Sequence, residues 1–423
     1  MAIKSPPVLR PMAAFVGISL ALATFFVAAG APTPLLVVYE REWGFSPFVL
    51  TVAFGVYALA MLVALLVVGS LSDYIGRRPV LIGSLGLELL SMVMFWSAGN
   101  IGWIIAARTV QGLATGAATS AFTAAIVELA PPRHKRLGAV FGTVTPAAGL
   151  GLGALFAGMV AELSASASTI VWGALVVVMA IGIVIALLVA ETAKSRPGAI
   201  ASLKPVLRVP TKARRQFAVA VPALVGAWMM AALFMGLVPT VLGSAFNIHS
   251  VGIAGAASSI EPLVAAVAAF LLGSLAPYKT LAVGSWSVII GAAVVPIATA
   301  SSSLPLLCLG GAIGGVGFGA TFSGAMKVIG PLAEGHERAG LFTAIFMVCY
   351  LSFGLPAIIA GQLVSPLGVL GIANAFGALI VIAAGIGLGG QAILLRQRQS
   401  ARPLRSLNRA KQSGTECRAD SRS

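Results

Sequence analysis

The stretch Gly69-Ser70-Leu71-Ser72-Asp73-Tyr74-Ile75-Gly76-Arg77-Arg78-Pro79 joins two apolar runs, near 47–68 and 80–98. Each run is about the 20 residues that a helix needs to cross the roughly 30 Å hydrocarbon core of a bilayer. The stretch between them therefore reads as the turn of a membrane hairpin. Gly69 permits close helix approach, Gly76 a tight turn, and Pro79 suits the first turn of the helix that follows. Asp73 is placed to meet the positive N-terminal end of a neighbouring helix, while Arg77 and Arg78 hold the turn on the cytoplasmic side. A plain basic turn accounts for the arginines but not for the glycines and Asp73 at these spacings.

Outward from this hairpin the pattern repeats. The chain has 423 residues, 59% of them hydrophobic and 9% charged, with a mean hydropathy of +1.01. A soluble domain carries roughly a quarter charged residues. Apolar runs fall near 12–38, 47–68, 80–98, 103–128, 138–162 and 169–190, and again near 216–243, 251–272, 281–301, 303–330, 340–363 and 365–394. The expected fold is an all-α membrane protein with twelve transmembrane helices. The first run follows Lys4 and Arg10, but it is too long for the apolar core of a signal peptide and eleven more runs follow. It is read as helix 1, retained in the protein.

A net charge of +15 raises the question of a nucleic-acid partner, and the placement of the basic residues answers it. With the N-terminus in the cytoplasm, 24 of the 27 Lys and Arg residues fall in cytoplasmic loops and tails. Arg41 is on the outer side, and Arg108 and Lys327 lie within spans. This is the positive-inside pattern, so both termini are expected in the cytoplasm of a multi-pass inner-membrane protein. The basic balance reflects topology; the expected partner is the lipid bilayer and no nucleic acid. Cys308, Cys349 and Cys417 show no paired spacing, and no cofactor or metal is expected. No nucleophile–base pair, metal-ligand cluster or phosphate loop appears, so an enzyme is not expected either.

The apolar pattern breaks over 191–215, where seven basic residues and Pro197, Pro205 and Pro210 form a cytoplasmic linker suited to anionic lipid headgroups. It separates an N-terminal half, 1–190, from a C-terminal half, 216–394, with a basic disordered tail over 395–423. A repeat supports the division. Gly69-Ser70-Leu71-Ser72-Asp73-Tyr74 recurs 204 residues later as Gly273-Ser274-Leu275-Ala276-Pro277-Tyr278, and Arg136-Leu137-Gly138 recurs 202 residues later as Arg338-Ala339-Gly340. Two pseudo-symmetric six-helix bundles with a site between them are one of the transporter plans.

With twelve spans and two repeats in view, the Gly69 to Pro79 stretch resembles the loop 2–3 signature of the major facilitator superfamily, G-x-L-x-D-R-x-G-R-[KR]-P, with Tyr74 as the departure. The resemblance covers essentially the whole chain. It implies a conformational latch of Gly69, Asp73, Gly76, Arg77, Arg78 and Glu128. Asp73 would engage the cytoplasmic start of helix 11 near Gly340, steadying the outward-facing state, and would pair with the loop arginine and Glu128. Pro277 replaces the aspartate in the second half. Arg108-Thr109-Val110-Gln111-Gly112 is similar to the family's helix-4 signature, R-x-x-Q-G. An arginine inside a span faces a cavity or a partner, and Gln111 lies one turn from it. In span five, Gly138, Gly142, Pro146, Gly149 and Gly153 make a small-residue seam with a kink, as does Gly112 in span four. Efflux members carry G-x-x-x-G-P-x-x-G-G there; aligned on Pro146, this chain keeps Gly149 but has Phe141, Thr145 and Leu150 at the other glycine positions.

Three further charges are buried by position: Glu261 beside Pro262 in helix 8, Glu88 in helix 3 and Lys327 toward the inner end of helix 10. A carboxyl at such depth is a candidate carrier of a coupling proton, and Lys327 can snorkel to the surface. Arg108, Gln111, Glu261, Lys327 and Glu88 are the candidates for substrate binding or proton coupling. The resemblance implies a monomeric secondary transporter that exports a small organic molecule in exchange for protons. A proton-coupled metabolite importer is the alternative within transport, and a non-transporting membrane sensor the alternative outside it.

Overall fold

The computed structural model describes residues 9–334 and 337–419. Among these the chain is helical, with no strand. Eleven helical segments among the described residues are long and apolar enough to cross a bilayer, and the last of them, Arg338–Gln397 with 60 residues, holds two helices that meet at Gly368.

Helices α1 (Pro11–Gly30) and α2 (Pro32–Trp43) form one span whose hydrogen-bond ladder is interrupted at Ala31, where the backbone stays helical (φ -56°, ψ -37°). Pro32 has no N–H, so the Ala28 carbonyl one turn back has no helical donor. The expected run ended near 38; the helix continues to Trp43 because Tyr39 stays buried, and it stops where Gly44 takes the left-handed φ of 64°. The hairpin is α3 (Pro47–Val68), the short α4 (Ser72–Ile75) and α5 (Arg77–Trp96), with Gly76 turning at φ 102°. Helices α6 (Ile101–Leu129), α7 (Lys135–Leu163) and α8 (Ala167–Leu188) follow.

The segment after α8 carries a single short helix, α9 (Ala199–Ser202). Helix α10 (Arg214–Ala232) widens into a π turn over Leu233–Leu237 and continues as α11 (Val238–Ser244). Then come α12 (Val251–Leu271), α13 (Pro277–Ala300), α14 (Leu304–Ile329) and α15 (Arg338–Ala419). The runs near 340–363 and 365–394 were expected as two helices. Two helices are what the structure has: they meet at Gly368, whose backbone leaves the helical region (φ 71°, ψ 161°), and α15 is used below for both. From residue 398 onward the side chains of the expected basic tail lie outside the described residues.

Helix α8 turns Ile170, Val177, Ile181, Val184 and Leu187 outward. A helix that is apolar even on its exposed face belongs in lipid, and the chain is a multi-pass membrane protein. Inside, glycines set the helix spacing. A Cβ at Gly112 would collide with the Tyr57 carbonyl and one at Gly116 with that of Met61, so α6 lies flush on α3. The same seam recurs 203 residues on, where Gly315 and Gly319 of α14 abut the carbonyls of Glu261 and Ala265 of α12. Helices α1 and α7 meet through Gly30, Gly149 and Gly153, and a Cβ added at Gly142 would come within 3.0 Å of the Thr123 side chain. Pro146 lies inside α7, where it deprives the Gly142 carbonyl of its helical donor.

Candidate functional site

The glycine seam between α3 and α6 brings a polar network into an apolar bundle. Arg108 is 2% exposed; its Nε donates to the Ala53 carbonyl at 3.2 Å, and Nη1 donates to the Ala29 carbonyl at 3.1 Å and to Gln111 Oε1 at 2.7 Å. The guanidinium carbon stands 4.4 Å from the centre of the Tyr57 ring, a desolvated cation–π contact of about 2 kcal/mol. Gln111 Nε2 donates to the Ala28 carbonyl at 3.0 Å and to Glu88 Oε1 at 3.2 Å. The carbonyl that Pro32 leaves bare thus receives its hydrogen bond from α6. Arg108 and Gln111 tie α1, α3, α5 and α6 together, and Glu88 belongs to this network through Gln111 rather than standing apart.

Glu261 is different. It is fully buried, and neither carboxyl oxygen has a hydrogen-bond partner among the described residues. Ser258, one turn earlier, is likewise buried and unpartnered. Lys327 reaches the end of α12, where its Nζ donates to the Gly273 carbonyl at 2.6 Å.

Sequence reading missed a ring cluster between α3, α10, α14 and α15. Trp228 is surrounded edge-to-face by Phe318 and Phe322 at 5.2 and 6.1 Å and by Tyr350 and Phe353 at 4.9 and 6.1 Å. Phe346 extends it beside Tyr350, and Phe54 of α3 closes on Phe353 at 5.0 Å. Phe318/Phe322 at i, i+4 and Phe346/Tyr350/Phe353 at i, i+4, i+7 was the available signal.

At the Asp73 end, Arg77 joins Asp73 on its own turn to Glu128 of α6 at 3.1 Å. Glu128 also accepts from the Thr192 hydroxyl. Asp73 was expected at Gly340. Among the described residues its ion pair is with Arg77, and Gly340 lies against the backbone of Arg208 instead. The linker fills the space. Glu191 accepts from the backbone amides of Arg77 at 2.7 Å and Arg78 at 3.0 Å, the first two of α5, where a carboxylate meets the positive helix end. Arg78 donates to the Leu187 carbonyl, the Arg196 amide to the Tyr74 carbonyl at 2.7 Å, and the Ser70 hydroxyl to the Ser202 carbonyl at 3.1 Å. Gly69, at the end of α3, offers its carbonyl to Ser120 at 2.6 Å. Further on, Lys212 pairs with Glu334 at 3.0 Å, and that contact raises the Lys212 ammonium above its ordinary range. The side chains of His134 and Arg136, and His336 altogether, lie outside the described residues.

At the opposite end, Glu162 of α7 accepts from the Ser250 hydroxyl at 2.8 Å and the Gly252 amide at 2.9 Å, at the start of α12. Arg41 of α2 donates to the His249 carbonyl at 3.0 Å. These contacts tie α2 and α7 to the segment that opens α12.

The sequence profile of the Major Facilitator Superfamily matches residues 18–279. A stretch of 75 residues is 36% identical to an uncharacterized transporter of Schizosaccharomyces pombe, covering 18% of this chain and 13% of that protein. A stretch of 134 residues is 31% identical to the human solute carrier family 2 facilitated glucose transporter member 10, covering 31% of this chain and 24% of that protein. The match thus spans a quarter or less of each curated relative. Two solved structures of POT family transporters, one in complex with 5-aminolevulinic acid and one with a thioalcohol-conjugated peptide, each superpose with a TM-score of 0.71 at 12% identity. They cover 90% and 92% of this chain and 96% of their own. That likeness is one of fold.

Proposed function

The chain belongs to the Major Facilitator Superfamily, and from that premise we propose that it is a secondary active transporter, not an enzyme, that exports a small organic molecule in exchange for protons. The halves 1–190 and 216–394 would rock about a site between them. The observation that carries this reading is the difference between the two ends. At one, Glu162 and Arg41 tie α7 and α2 directly to the start of α12. At the other, the linker holds both partners apart from one another's contacts: Arg208 lies on Gly340, while Arg196 and Ser202 bind the Gly69–Pro79 turn. With both termini in the cytoplasm by the positive-inside rule, the outer side is the tied one and the state is inward-facing. Turning outward would release Glu162 and draw Asp73 toward the start of α15, which requires Arg208 to leave Gly340. The two ties exclude each other, as alternating access demands.

Glu261 is the residue proposed to carry the coupling proton, since an unpartnered buried carboxyl can be neutral or ion-bound but is very costly as a bare charge. Arg108 and Gln111 would hold the pocket's wall. The test is transport in proteoliposomes across a substrate panel with an internal pH dye, comparing wild type with Arg108→Ala and Glu261→Gln. Normal proton movement in both variants would remove these residues from the mechanism.

Proton-coupled import is the second reading. It is favoured by span five, where Phe141, Thr145 and Leu150 stand in place of the glycines of efflux members. Accumulation in inside-out vesicles under a proton gradient supports export; uptake into right-side-out vesicles supports import.

A further inference from the structure

Helix α10 and the two helices of α15 enclose a groove of about 540 Å³. Every residue lining it is apolar: Pro222, Val225 and Met229 come from α10, Ile359 from the first helix of α15, and Leu379 and Ile386 from the second. Ile359, Leu379 and Ile386 are more than half exposed, so the groove opens on the outer, lipid-facing surface and not toward the bundle interior. On the second helix of α15 the lining runs from Ile372 to Ile386, about 21 Å of helix. A volume of this size drawn out over that length is a narrow channel, not a rounded pocket. It has nothing polar to hold a sugar, a peptide or an ion, and its shape is that of a hydrocarbon chain.

One end of the groove is charged. Along α10, Arg215, Ala218, Pro222, Val225 and Met229 follow one another at spacings of three and four, so Arg215 shares the face that lines the groove, about 10 Å beyond Pro222. Arg214 stands in the same relation to Val221, and Ala218, on the line between Arg215 and Pro222, is small and exposed. Both arginines are exposed, and neither guanidinium has an ion pair among the described residues. The second helix of α15 brings its own end there: a Cβ on Gly390 would come within 3.2 Å of the Val219 side chain, and Arg396 follows. By the positive-inside rule this is the cytoplasmic end. A long apolar groove below a pair of cations matches the two parts of an anionic phospholipid. It suits a second copy of the chain less well, because two-fold packing through this face would set the arginines of both copies against each other at one depth.

We propose that the groove between α10 and α15 is a seat for one anionic phospholipid, with an acyl chain in the groove and the phosphate on Arg214 and Arg215. The guanidinium groups donate to the phosphate oxygens, and the chain covers the apolar surface that Ile359, Leu379 and Ile386 leave open. The seated lipid braces α10 against both helices of α15. This inference is independent of the direction of transport and of the substrate.

The test incubates full-length protein in detergent with dioleoyl phosphatidylglycerol, dioleoyl phosphatidylcholine or glycerol 3-phosphate, counts bound molecules by native mass spectrometry, and follows the melting temperature. Wild type should retain one phosphatidylglycerol about tenfold more often than phosphatidylcholine, should melt higher with it, and should not retain glycerol 3-phosphate. The double variant Arg214→Gln, Arg215→Gln should retain phosphatidylglycerol no better than phosphatidylcholine. Ala375→Trp, which fills the groove from an exposed position, should lose both lipids. All these positions are exposed, so both variants should melt like wild type in the absence of lipid. Val177→Trp, on the exposed face of α8, is the control and should retain phosphatidylglycerol as wild type does. Equal retention of the two lipids by wild type, or phosphatidylglycerol retention unchanged in either variant, overturns the proposal. A dimer that Ala375→Trp abolishes overturns it by giving the groove to a second copy, and retention of glycerol 3-phosphate overturns it by giving the arginines to a free phosphate.

Discussion

Gln111 donates to the carbonyl of Ala28, the one that Pro32 deprives of its helical donor. The interrupted ladder of the first span is thereby satisfied from the fourth, and the same amide holds Glu88 while its oxygen receives Arg108. Replacing Gln111 by Leu orphans these groups together, and a buried polar group left unpaired costs about 1–3 kcal/mol. Gln111→Leu should therefore melt well below wild type in a detergent thermal-shift assay, whereas Gln111→Glu, which keeps an acceptor for Arg108, should fall less. Equal melting of Gln111→Leu and wild type would show that the network does not stabilise the bundle.

The glycine seams predict steric effects of matched size. Gly112→Ala and Gly315→Ala each force a Cβ into a carbonyl of the facing helix, an overpacking cost of about 1–3 kcal/mol. Gly83→Ala, where a Cβ meets nothing within 4 Å, is the control and should not destabilise. Thermal unfolding of the three variants decides this.

Glu162→Gln keeps the hydrogen-bond acceptor but removes the charge from the start of α12. It should shift the population toward the state open at that end. In a background without the native cysteines, a cysteine at buried Val37 of α2 should label severalfold faster with a membrane-impermeant thiol reagent. An unchanged labelling rate would mean that Glu162 does not hold that end closed.

Asp73→Asn should slow turnover roughly tenfold with little change in melting temperature. The Asp73 side chain is 56% exposed, and exposed ion pairs contribute about 0–1 kcal/mol. Its loss should therefore be felt in the cycle and not in folding; wild-type turnover would count against the latch.

The pH response separates two titrating groups. Because the Lys212 ammonium is raised, its pairing with Glu334 is fully present below its ordinary value of 10.5 and is lost only as pH rises through the raised one. Lys212→Met should then leave the pH profile of transport between 5 and 9 unchanged. Glu261→Gln, which cannot exchange a proton, should flatten it. A profile that moves with Lys212 and not with Glu261 would reverse the assignment.

Much of this molecule is written in local pattern. Apolar runs near 20 residues must be buried as helices in lipid because a bare backbone is too costly there, so the spans and the hairpin at Gly69 to Pro79 were readable residue by residue. Pro146 announced an interrupted helix and the repeated glycines announced close seams, since both act through the chain's own covalent geometry. The spans' exact ends and the Gly368 break were less legible, because they depend on how far a neighbouring helix keeps a face buried.

What the tertiary structure alone decided is partnership. Nothing local says that the Ala28 carbonyl meets Gln111, that Glu88 joins Arg108 through that amide, or that the Glu261 carboxyl meets no hydrogen-bond partner among the described residues. Glu191 was read only as the first residue of the linker, yet it caps α5, and Arg208 of the linker lies on Gly340, where Asp73 was expected. Trp228 of α10 and the rings clustered with it draw on four helices, α3, α10, α14 and α15. Periodicity sets which face of a helix is apolar, but a hydrogen bond or ring contact is made at about 3 to 6 Å across a packing seam. That distance depends on the glycines of both helices at once.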